Sequence, residues 1–332
     1  MQNNESIHQD INSKVLIVDG LNLYIRCFVA IPSMNGEGYH VGGITGFLKS
    51  LAHAIRQFNP TRCIIVFDGK NGSVRRRKLY PDYKHKSTVS SKYNRMYKND
   101  ADEAASMKKQ FSRLLDYLST LPISIISIDG IEADDTIAYA STEILKDGDI
   151  VILSTDRDFL QLVDKRINVW SPIKKILYDI DTIKEEFGVS PNNFLLYKIF
   201  VGDDSDNIPG IKGVGIKTIE KRFSFLKQDK QYDIDDIINE CILNQNTKIK
   251  IYESVINQKE QLLLNKQLMD LKNLDISGNS KLLIGYKIEE KIESLNKVAF
   301  IGMLLKDDII NLVGDVHFWL KNSFDKLNYH AK

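Results

Sequence analysis

Four short runs of apolar residues, rich in valine and isoleucine, are spaced along the first half of the chain. They are Lys14–Asp19, Cys63–Asp68, Ile123–Ile128 and Ile150–Ser154. Continuous rather than alternating hydrophobicity is typical of strands that are buried on both faces of a sheet. Each run therefore predicts a buried β-strand.

Amphipathic patterns of helical period lie between these strands, at Gly43–Phe58, Asp102–Leu121 and Ala133–Lys146. Alternation of strands and helices predicts an α/β fold with a mostly parallel central sheet flanked by helices. A further helix is predicted over Asp181–Glu186, with Gly188 ending it. In such sheets ligands bind beyond the carboxyl ends of the strands, so those ends are where we look for chemistry.

The pattern changes after about residue 185 and becomes largely helical to the end. We therefore predict three parts, which are a disordered tail at 1–13, an α/β core at 14–185 and a C-terminal helical subdomain at 186–332. No internal repeat interrupts this division.

Composition narrows the class of protein without identifying it. Hydrophobic residues make up 43% of the chain and the net charge is +1, as in an ordinary globular protein. Cys27, Cys63 and Cys241 are few, odd in number and unclustered, which argues against a disulfide framework or a zinc ribbon. No run approaches the roughly 20 apolar residues of a membrane span, and the polar N-terminus lacks a signal peptide core. We expect a cytoplasmic protein.

Acidic residues recur where the predicted strands end. Asp19, Asp68 and Asp156 each follow an apolar run, and the motifs IEADD, STDRD and GDDSDN add further acids. Because the carboxyl ends of parallel strands meet at one edge, we expect these side chains to gather there. The acidic candidates are Asp19, Asp68, Glu132, Asp134, Asp135, Asp156, Asp158, Asp203 and Asp206.

Crowded carboxylates repel each other and need cations or protons to coexist. Two divalent cations about 4 Å apart are the usual catalysts of in-line phosphoryl displacement. The histidines form no HxH or HExxH pattern, so the oxygen ligands indicate Mg²⁺ or Mn²⁺ rather than zinc. The simpler alternatives are compensation of a helix dipole in IEADD and an N-cap or solvated loop in STDRD.

A basic segment follows the second predicted strand. Tyrosines at 80, 83, 93 and 97 interleave with its cations. Basic residues with aromatics suit a channel for a single nucleic-acid strand, through phosphate neutralisation and base stacking; the alternative is a solvated flexible loop. The cations are Lys70, Arg75, Arg76, Arg77, Lys78, Lys84, Lys86, Lys92, Arg95 and Lys98.

A glycine-rich turn separates two helical patterns near residues 195–225. Gly210, Gly213 and Gly215 are spaced as in a tight hairpin, with Lys217 beyond it. Backbone amides at such a turn can hold a phosphate without reading bases. Glycine spacing alone also fits an ordinary helix–helix turn.

Taken together, five sequence blocks resemble the signatures of the 5′-nuclease family, which includes flap endonucleases, phage 5′-exonucleases and the 5′-nuclease domain of bacterial DNA polymerase I. The blocks are VDGLNLYIR, RRKLYPDYK, GIEADDTIA, STDRDFLQLV and GDDSDNIPGIKGVGIKT, in family order. The resemblance implies a nuclease core, a helical arch at about 70–110 and a helix–hairpin–helix DNA clamp at about 195–225. It implies metal-dependent cleavage of 5′ flaps and 5′ ends, including removal of RNA primers, in replication and repair.

The resemblance also assigns roles to residues. It implies that Lys84 and Arg76 contact the scissile phosphate and that the hairpin binds downstream duplex, together with a K⁺ ion. Further DNA contacts are expected at Arg75, Arg77, Lys86, Tyr24, Arg26, Gly210, Gly213, Gly215 and Lys217. The first metal is assigned to Asp19, Asp68, Glu132 and Asp134, with Asp135 close by, and the second to Asp156, Asp158, Asp203 and Asp206.

The chain departs from the family pattern at two positions. Ile25 stands where family members often carry an aromatic residue that stacks on the terminal base, and Ser87 stands where an arginine is common. These differences concern how the scissile nucleotide is oriented rather than metal binding.

Two other functions fit part of the sequence. A PIN-type ribonuclease would share the acids but needs neither the basic arch nor the glycine hairpin. A catalytically inactive DNA-binding module would be hindered by so many acids. We expect a monomer acting on DNA with a 5′ flap, a 5′ overhang or an RNA primer, in a bacterial or phage-infected cell. Candidate protein partners are replication proteins such as single-strand binding protein.

Overall fold

The computed structural model describes residues 11–85, 94, 96–247, 249–312 and 314–331. Its centre is a six-stranded sheet in the order β3-β2-β1-β4-β5-β6, parallel except for the antiparallel β5–β6 pair. The strands are β1 (Lys14–Asp19), β2 (Arg62–Phe67), β3 (Ser124–Ser127), β4 (Asp149–Leu153), β5 (Ile167–Ser171) and β6 (Ile176–Tyr178). The predicted mostly parallel sheet is confirmed.

Both faces of this sheet are buried, as the continuous apolar runs predicted. On β1, Val15 and Ile17 pack into one hydrophobic core, whereas Leu16 and Val18 pack into the other. All four side chains are almost fully buried. A strand covered on both sides has no polar face, which is why its sequence does not alternate.

Helices cover the two faces of the sheet, and a short antiparallel pair, β7 (Gly202–Asp203) and β8 (Ile208–Pro209), lies between two of them. The helices of the first half of the chain are α1 (Gly20–Ala30), α2 (Gly42–Phe58), α3 (Val74–Leu79), α4 (Asp100–Leu118), α5 (Ala133–Tyr139), α6 (Ile180–Phe187) and α7 (Phe194–Val201). The remaining helices are α8 (Ile216–Arg222), α9 (Ile234–Leu243), α10 (Lys250–Asn257), α11 (Lys259–Met269), α12 (Gly278–Glu289), α13 (Lys297–Lys306) and α14 (Val316–His330).

The last two helices return to the α/β core. Phe300 and Leu304 of α13 and Leu320 and Phe324 of α14 are buried in the same core as Leu51 of α2. The C-terminal subdomain at 186–332 stays a prediction, and by their packing α13 and α14 share a hydrophobic core with the first half of the chain. An apolar stripe on a helix shows that it packs, but its partner is not readable from local sequence.

Three elements differ from the sequence prediction. Helix α1 directly after β1 and the β5–β6 hairpin were not predicted. A single α-helix was expected over Ala133–Lys146. The α-helix ends at Tyr139, and a π-helical turn, Ala140–Ile144, follows it. The predicted arch is described at its two ends, by α3 and α4, whereas residues 86–93 and 95 lie outside the described residues.

The order of the strands creates a crevice between β1 and β4. From β1 the chain builds β2 and β3 to one side and then β4 and β5 to the other. Val18 is paired with Leu153, so Asp19 and Ser154 follow side by side at the carboxyl end. Such a switch point is the usual ligand-binding position in open α/β sheets.

Within the described part of the chain, no helix combines the length and apolar character that crossing a membrane requires.

Candidate active site

The switch point is built around Ser154, a buried hydroxyl at the end of β4. Ser154 Oγ donates to Asp19 Oδ2 at 2.9 Å and accepts from the backbone N–H of Asp156 at 3.0 Å. Asp19 caps α1 by accepting from Asn22 N at 3.2 Å. Asp156 likewise accepts from Asp158 N at 2.8 Å and opens a 3-10 turn. Acids from two motifs are thus held beside each other.

The IEADD motif reaches the same edge through Asp68. Asp68 Oδ1 accepts from Ala133 N at 2.7 Å, which caps α5 and places Glu132 and Asp134 at its N-terminus. Gly69 allows the two loops to meet, because a Cβ there would lie 1.7 Å from Ile128 O. Only glycine permits this approach.

Glu132 is held by three neighbours from the basic segment. Lys84 Nζ lies 2.7 Å from Glu132 Oε1, and Tyr83 OH donates to Oε2 at 3.2 Å. Arg76 Nη1 donates to the same carboxylate. Tyr83 OH also lies 3.1 Å from Asp206 Oδ2, so one phenol links two acidic motifs.

The GDDSDN motif joins the site through Lys198. This lysine lies on α7, is 6% exposed, and places its Nζ 2.7 Å from Asp158 Oδ1 and 2.5 Å from Asp203 Oδ2. Asp203 Oδ1 accepts from Ser205 N at 2.8 Å and Asp206 N at 3.2 Å. Lys198 is not among the predicted site residues, although a lysine within the apolar segment FLLYKIFV was a usable signal.

Several of the gathered carboxyls have raised pKa values. Burial, opposed by the hydrogen bond from Ser154, raises the pKa of Asp19 to about 7. Burial, followed by repulsion from Asp156, raises the pKa of Asp158 to about 6. For Asp206 burial is again the first cause and the pKa is about 6. The pKa values of Asp134 and Asp156 are also raised, first by burial and then by neighbouring charges.

Two carboxyls behave in the opposite way because lysine or arginine faces them. Burial would raise the pKa of Glu132, but Arg76 and Lys84 outweigh it and hold the pKa below its usual value. Lys198 and Ser205 similarly lower the pKa of Asp203 against the effect of burial. At Glu132 and Asp203 the neighbouring cations outweigh burial, whereas at Asp158 burial and repulsion from Asp156 prevail even though Lys198 faces the carboxylate.

The donor set fits a hard divalent cation, since it consists of carboxylate oxygens and contains neither histidine nor cysteine. Among the residues that the structure describes, no three such side chains converge into a formed metal cage. Lys84 and Lys198 lie against Glu132, Asp158 and Asp203 instead. The clustered acids whose pKa is raised are those that a cation would stabilise most.

Two predicted site residues are held in buried ion pairs. Arg76 is 3% exposed and points inward, with Nη2 2.8 Å from Asp135 Oδ1 and Nε donating to Leu268 O at 2.8 Å. Contact of Arg76 with a scissile phosphate stays a prediction, and in this position its guanidinium is engaged by carboxylates. Asp135 is 1% exposed and pairs with Arg76, and more weakly with Arg75 at 3.5 Å. Its place beside the first metal also stays a prediction.

The predicted DNA contacts fall into different environments. Tyr24 is buried and donates to Met107 O at 2.5 Å, and its contact with DNA stays a prediction. Tyr83 is equally buried and serves the acids rather than a base stack. Arg26 and Arg77 are exposed. Lys86 lies outside the described residues.

The glycine turn lies between α7 and α8, as a helix–hairpin–helix requires. A Cβ at Gly210 would lie 2.1 Å from Val201 O, and Gly213 has φ +85°, which favours glycine. Gly215 caps α8, and Lys217 is exposed in its first turn. The turn thus presents backbone and a cation to solvent.

Comparison with known proteins identifies related sequences over most of the chain. Residues 14–188 match the family model described as the 5′-3′ exonuclease N-terminal resolvase-like domain, and residues 189–283 match the 5′-3′ exonuclease C-terminal SAM fold. A 5′-3′ exonuclease of Buchnera aphidicola (subspecies Acyrthosiphon pisum) is 32% identical over 277 residues, covering 82% of this chain and 90% of that protein. A 5′-3′ exonuclease of Bacillus subtilis is 33% identical over 219 residues, covering 63% of this chain and 69% of that protein.

A solved structure with a similar fold is the bacteriophage T5 flap endonuclease in a complex with DNA and metal ions. It has a TM-score of 0.62 and 20% identity, covering 89% of this chain and 99% of that one. At this identity the likeness shows the fold alone.

Proposed function

The chain belongs to the 5′-3′ exonuclease family and is a structure-selective 5′-nuclease, and we propose that the switch-point acids are its catalytic centre. In this proposal the first divalent cation binds Asp19, Asp68, Glu132 and Asp134. The second binds Asp156, Asp158, Asp203 and Asp206. Asp135 lies close by, paired with Arg76, and is not one of these eight proposed ligands.

One observation carries this assignment, which is that acids from distant motifs are joined by single side chains. Ser154 contacts Asp19, Tyr83 contacts both Glu132 and Asp206, and Lys198 contacts both Asp158 and Asp203. A purely capping role for each acid would not require them to share partners. The shared partners support one composite site.

Bound divalent cations would supply Lewis-acid activation and charge stabilisation for in-line displacement at phosphorus. The chain contributes positioning and a cation of its own. Lys84 keeps 34% of its side chain exposed while it pairs with Glu132, so its Nζ can turn towards a phosphate at the rim. A preorganised cation near the developing negative charge stabilises the transition state.

The cofactor is proposed to be Mg²⁺ or Mn²⁺, since every proposed ligand is a carboxylate oxygen. The T5 relative was solved with metal ions, which supports divalent metal dependence in general.

The glycine turn is proposed to hold downstream duplex through its backbone amides and Lys217, with a K⁺ ion at the same turn. Substrates are proposed to be DNA with a 5′ flap, a 5′ overhang or an RNA primer. The DNA complex of the T5 relative supports a DNA substrate. We further propose that the protein acts as a monomer, with replication proteins such as single-strand binding protein as candidate partners.

A cleavage assay tests this proposal. A 5′-flap duplex labelled at both ends should be cut near the branch with Mg²⁺ and left intact with EDTA. Asp156→Asn should lose most turnover and keep flap binding. Asp149→Asn is a matched control, because Asp149 is exposed at the opposite end of the same strand. Absence of cutting over a range of Mg²⁺ and Mn²⁺ concentrations would overturn the catalytic assignment, and an RNA flap arm separates the RNA and DNA preferences.

A further inference from the structure

Helix α11 ends against both halves of the acidic site. The carbonyl of Leu268 accepts from Arg76 Nε at 2.8 Å, and the next carbonyl, Met269 O, accepts from Gln161 Nε2 at 3.0 Å. Arg76 in turn holds Glu132, which belongs to the first group of acids. The last turn of α11 is thus bonded to side chains that contact the site.

Gln161 connects this turn to the second group of acids. Its side chain is fully buried, and its Nε2 also donates to the backbone carbonyl of Asp158 at 2.9 Å. Its Oε1 accepts from Leu271 N at 3.0 Å. The amide therefore bonds the main chain of Asp158 to both sides of the α11 terminus.

The same helix is bonded to the glycine hairpin one turn earlier. Asn265 is fully buried, and its Nδ2 donates to Ile199 O at 2.9 Å and to Pro209 O at 2.8 Å. Pro209 directly precedes Gly210, and Ile199 directly follows Lys198 on α7. Gln261 Nε2 donates to Asn265 Oδ1 at 2.8 Å and so fixes the orientation of the amide.

We infer that α11 sets the distance between the hairpin and the acidic site, with Asn265 and Gln161 as the positioning residues that determine which phosphodiester bond is cut. This inference rests on the proposed function, in which the hairpin holds duplex DNA. If the hairpin holds the duplex at one point, the distance from the hairpin to the acids decides which phosphodiester bond lies at the acids. We call this relation the register. The register is then a property of α11 and not of the acids themselves.

The chemistry of the two amides suits this role. Each is buried with its donors and acceptor engaged, and fully satisfied buried polar groups make an arrangement rigid and unique. Neither amide ionises, so neither gains or loses a proton with pH. Phosphoryl displacement needs the reacting atoms aligned, and a misplacement of about 1 Å can lower a rate by about a hundredfold.

The test maps cut positions on a 5′-flap duplex labelled at each end, under single-turnover conditions with saturating Mg²⁺. Asn265→Leu and Gln161→Met remove the hydrogen bonds at similar side-chain volume. We expect the rate at the wild-type bond to fall by about tenfold or more, while cuts at neighbouring bonds take a larger share. Gln267→Met, at an exposed position of the same helix, and Asn257→Leu, exposed at the end of α10, should leave the pattern unchanged.

The outcomes distinguish failure of the proposed function from failure of the inference about α11. If the wild-type protein cuts no flap, the proposed function fails. If the wild-type protein cuts at one bond and both variants, folded by circular dichroism, cut that bond alone at any rate, α11 does not set the register. The thermal stability of each variant shows whether part of the sample is unfolded. Unfolded protein lowers the cleavage rate but does not move the cut to other bonds.

Discussion

Lys198 Nζ lies 2.7 Å from Asp158 Oδ1, and this buried contact joins helix α7 to the turn that follows β4. The same ammonium group lies against Asp203. One lysine side chain therefore carries the positive charge for two acids from separate motifs, which makes its removal informative.

Lys198→Met should destabilise the metal-free protein strongly. Removing one partner of a buried ion pair leaves uncompensated charge and costs about 3–5 kcal/mol. Urea unfolding in EDTA at pH 8 measures the effect, and added Mg²⁺ should recover part of it. Lys287→Met breaks a surface pair with Glu290 and is the control, with an expected cost below about 1 kcal/mol. Equal losses in the two variants would contradict the role given to Lys198.

Asp134 and its neighbour Asp135 should respond differently to the same substitution. Asp135→Asn weakens the pairing with Arg76 and should cost about 3 kcal/mol, with little change in Mn²⁺ affinity. Asp134→Asn removes a carboxyl whose charged form is disfavoured by burial and by neighbouring acids, so it should raise metal-free stability at neutral pH and weaken Mn²⁺ binding. Calorimetric titration with Mn²⁺ measures the metal affinity of each variant, and urea unfolding measures its stability. If Mn²⁺ affinity fell in Asp135→Asn but not in Asp134→Asn, Asp135 would be a metal ligand.

The metal-free protein should lose stability as the pH rises from about 4 to about 7. Asp19 and Asp158 have folded-state pKa values of about 7 and about 6, above their ordinary value, so the folded state binds more protons than the unfolded state in this range. For Asp19 alone the loss is at most about 4 kcal/mol. Because the pKa of Glu132 is lowered, its contribution to folding stability changes only at lower pH, where that contribution is lost as the pH falls.

Melting temperatures measured in EDTA from about pH 4 to about pH 7 test whether stability falls with rising pH. Saturating Mg²⁺ should remove most of this fall in stability. A melting temperature that rises between pH 5 and pH 7 in EDTA would contradict the raised pKa values of Asp19 and Asp158.

Lys84→Met should slow cleavage more than it weakens binding. Loss of one preorganised charge contact typically lowers the rate by about a hundredfold or more, whereas flap affinity should change only a few-fold. Single-turnover cleavage and anisotropy of a labelled flap give the two quantities. Lys165→Met is the control, since Lys165 is exposed before β5, at the opposite end of the sheet. A pure affinity loss would make Lys84 a binding contact only.

The strand ends were predictable because a doubly buried strand has a distinctive sequence and its last residue has a fixed topological place. The position of Asp19, Asp68 and Asp156 at one edge of the sheet therefore follows from the sequence pattern alone. The burial of Arg76 was not predictable, because its partners Asp135 and Leu268 lie 59 and 192 residues further along the chain. A basic motif gives charge, whereas the direction of each side chain depends on tertiary contacts.

Short elements were missed for a related reason. Strand β6 has three residues, Ile176–Tyr178, and one of them, Leu177, is 37% exposed, so neither length nor alternation marks it. Tyr24 was expected from its motif to contact DNA, and the packing of α1 against α4 turns it inward, where it meets Phe111. Such placements depend on which helices meet.

The return of α14 to the core has a practical consequence for experiments. Lys326 Nζ donates to Asn59 O at 2.8 Å just before β2, and Thr61 Oγ1 donates to Ile11 O at 2.8 Å at the same end of the sheet. Residues 11 and 326 thus both lie at the end of the sheet away from the acidic crevice. A linker or fluorescent label on an exposed residue at that end stays clear of the crevice, so immobilised single-molecule measurements can leave the crevice accessible.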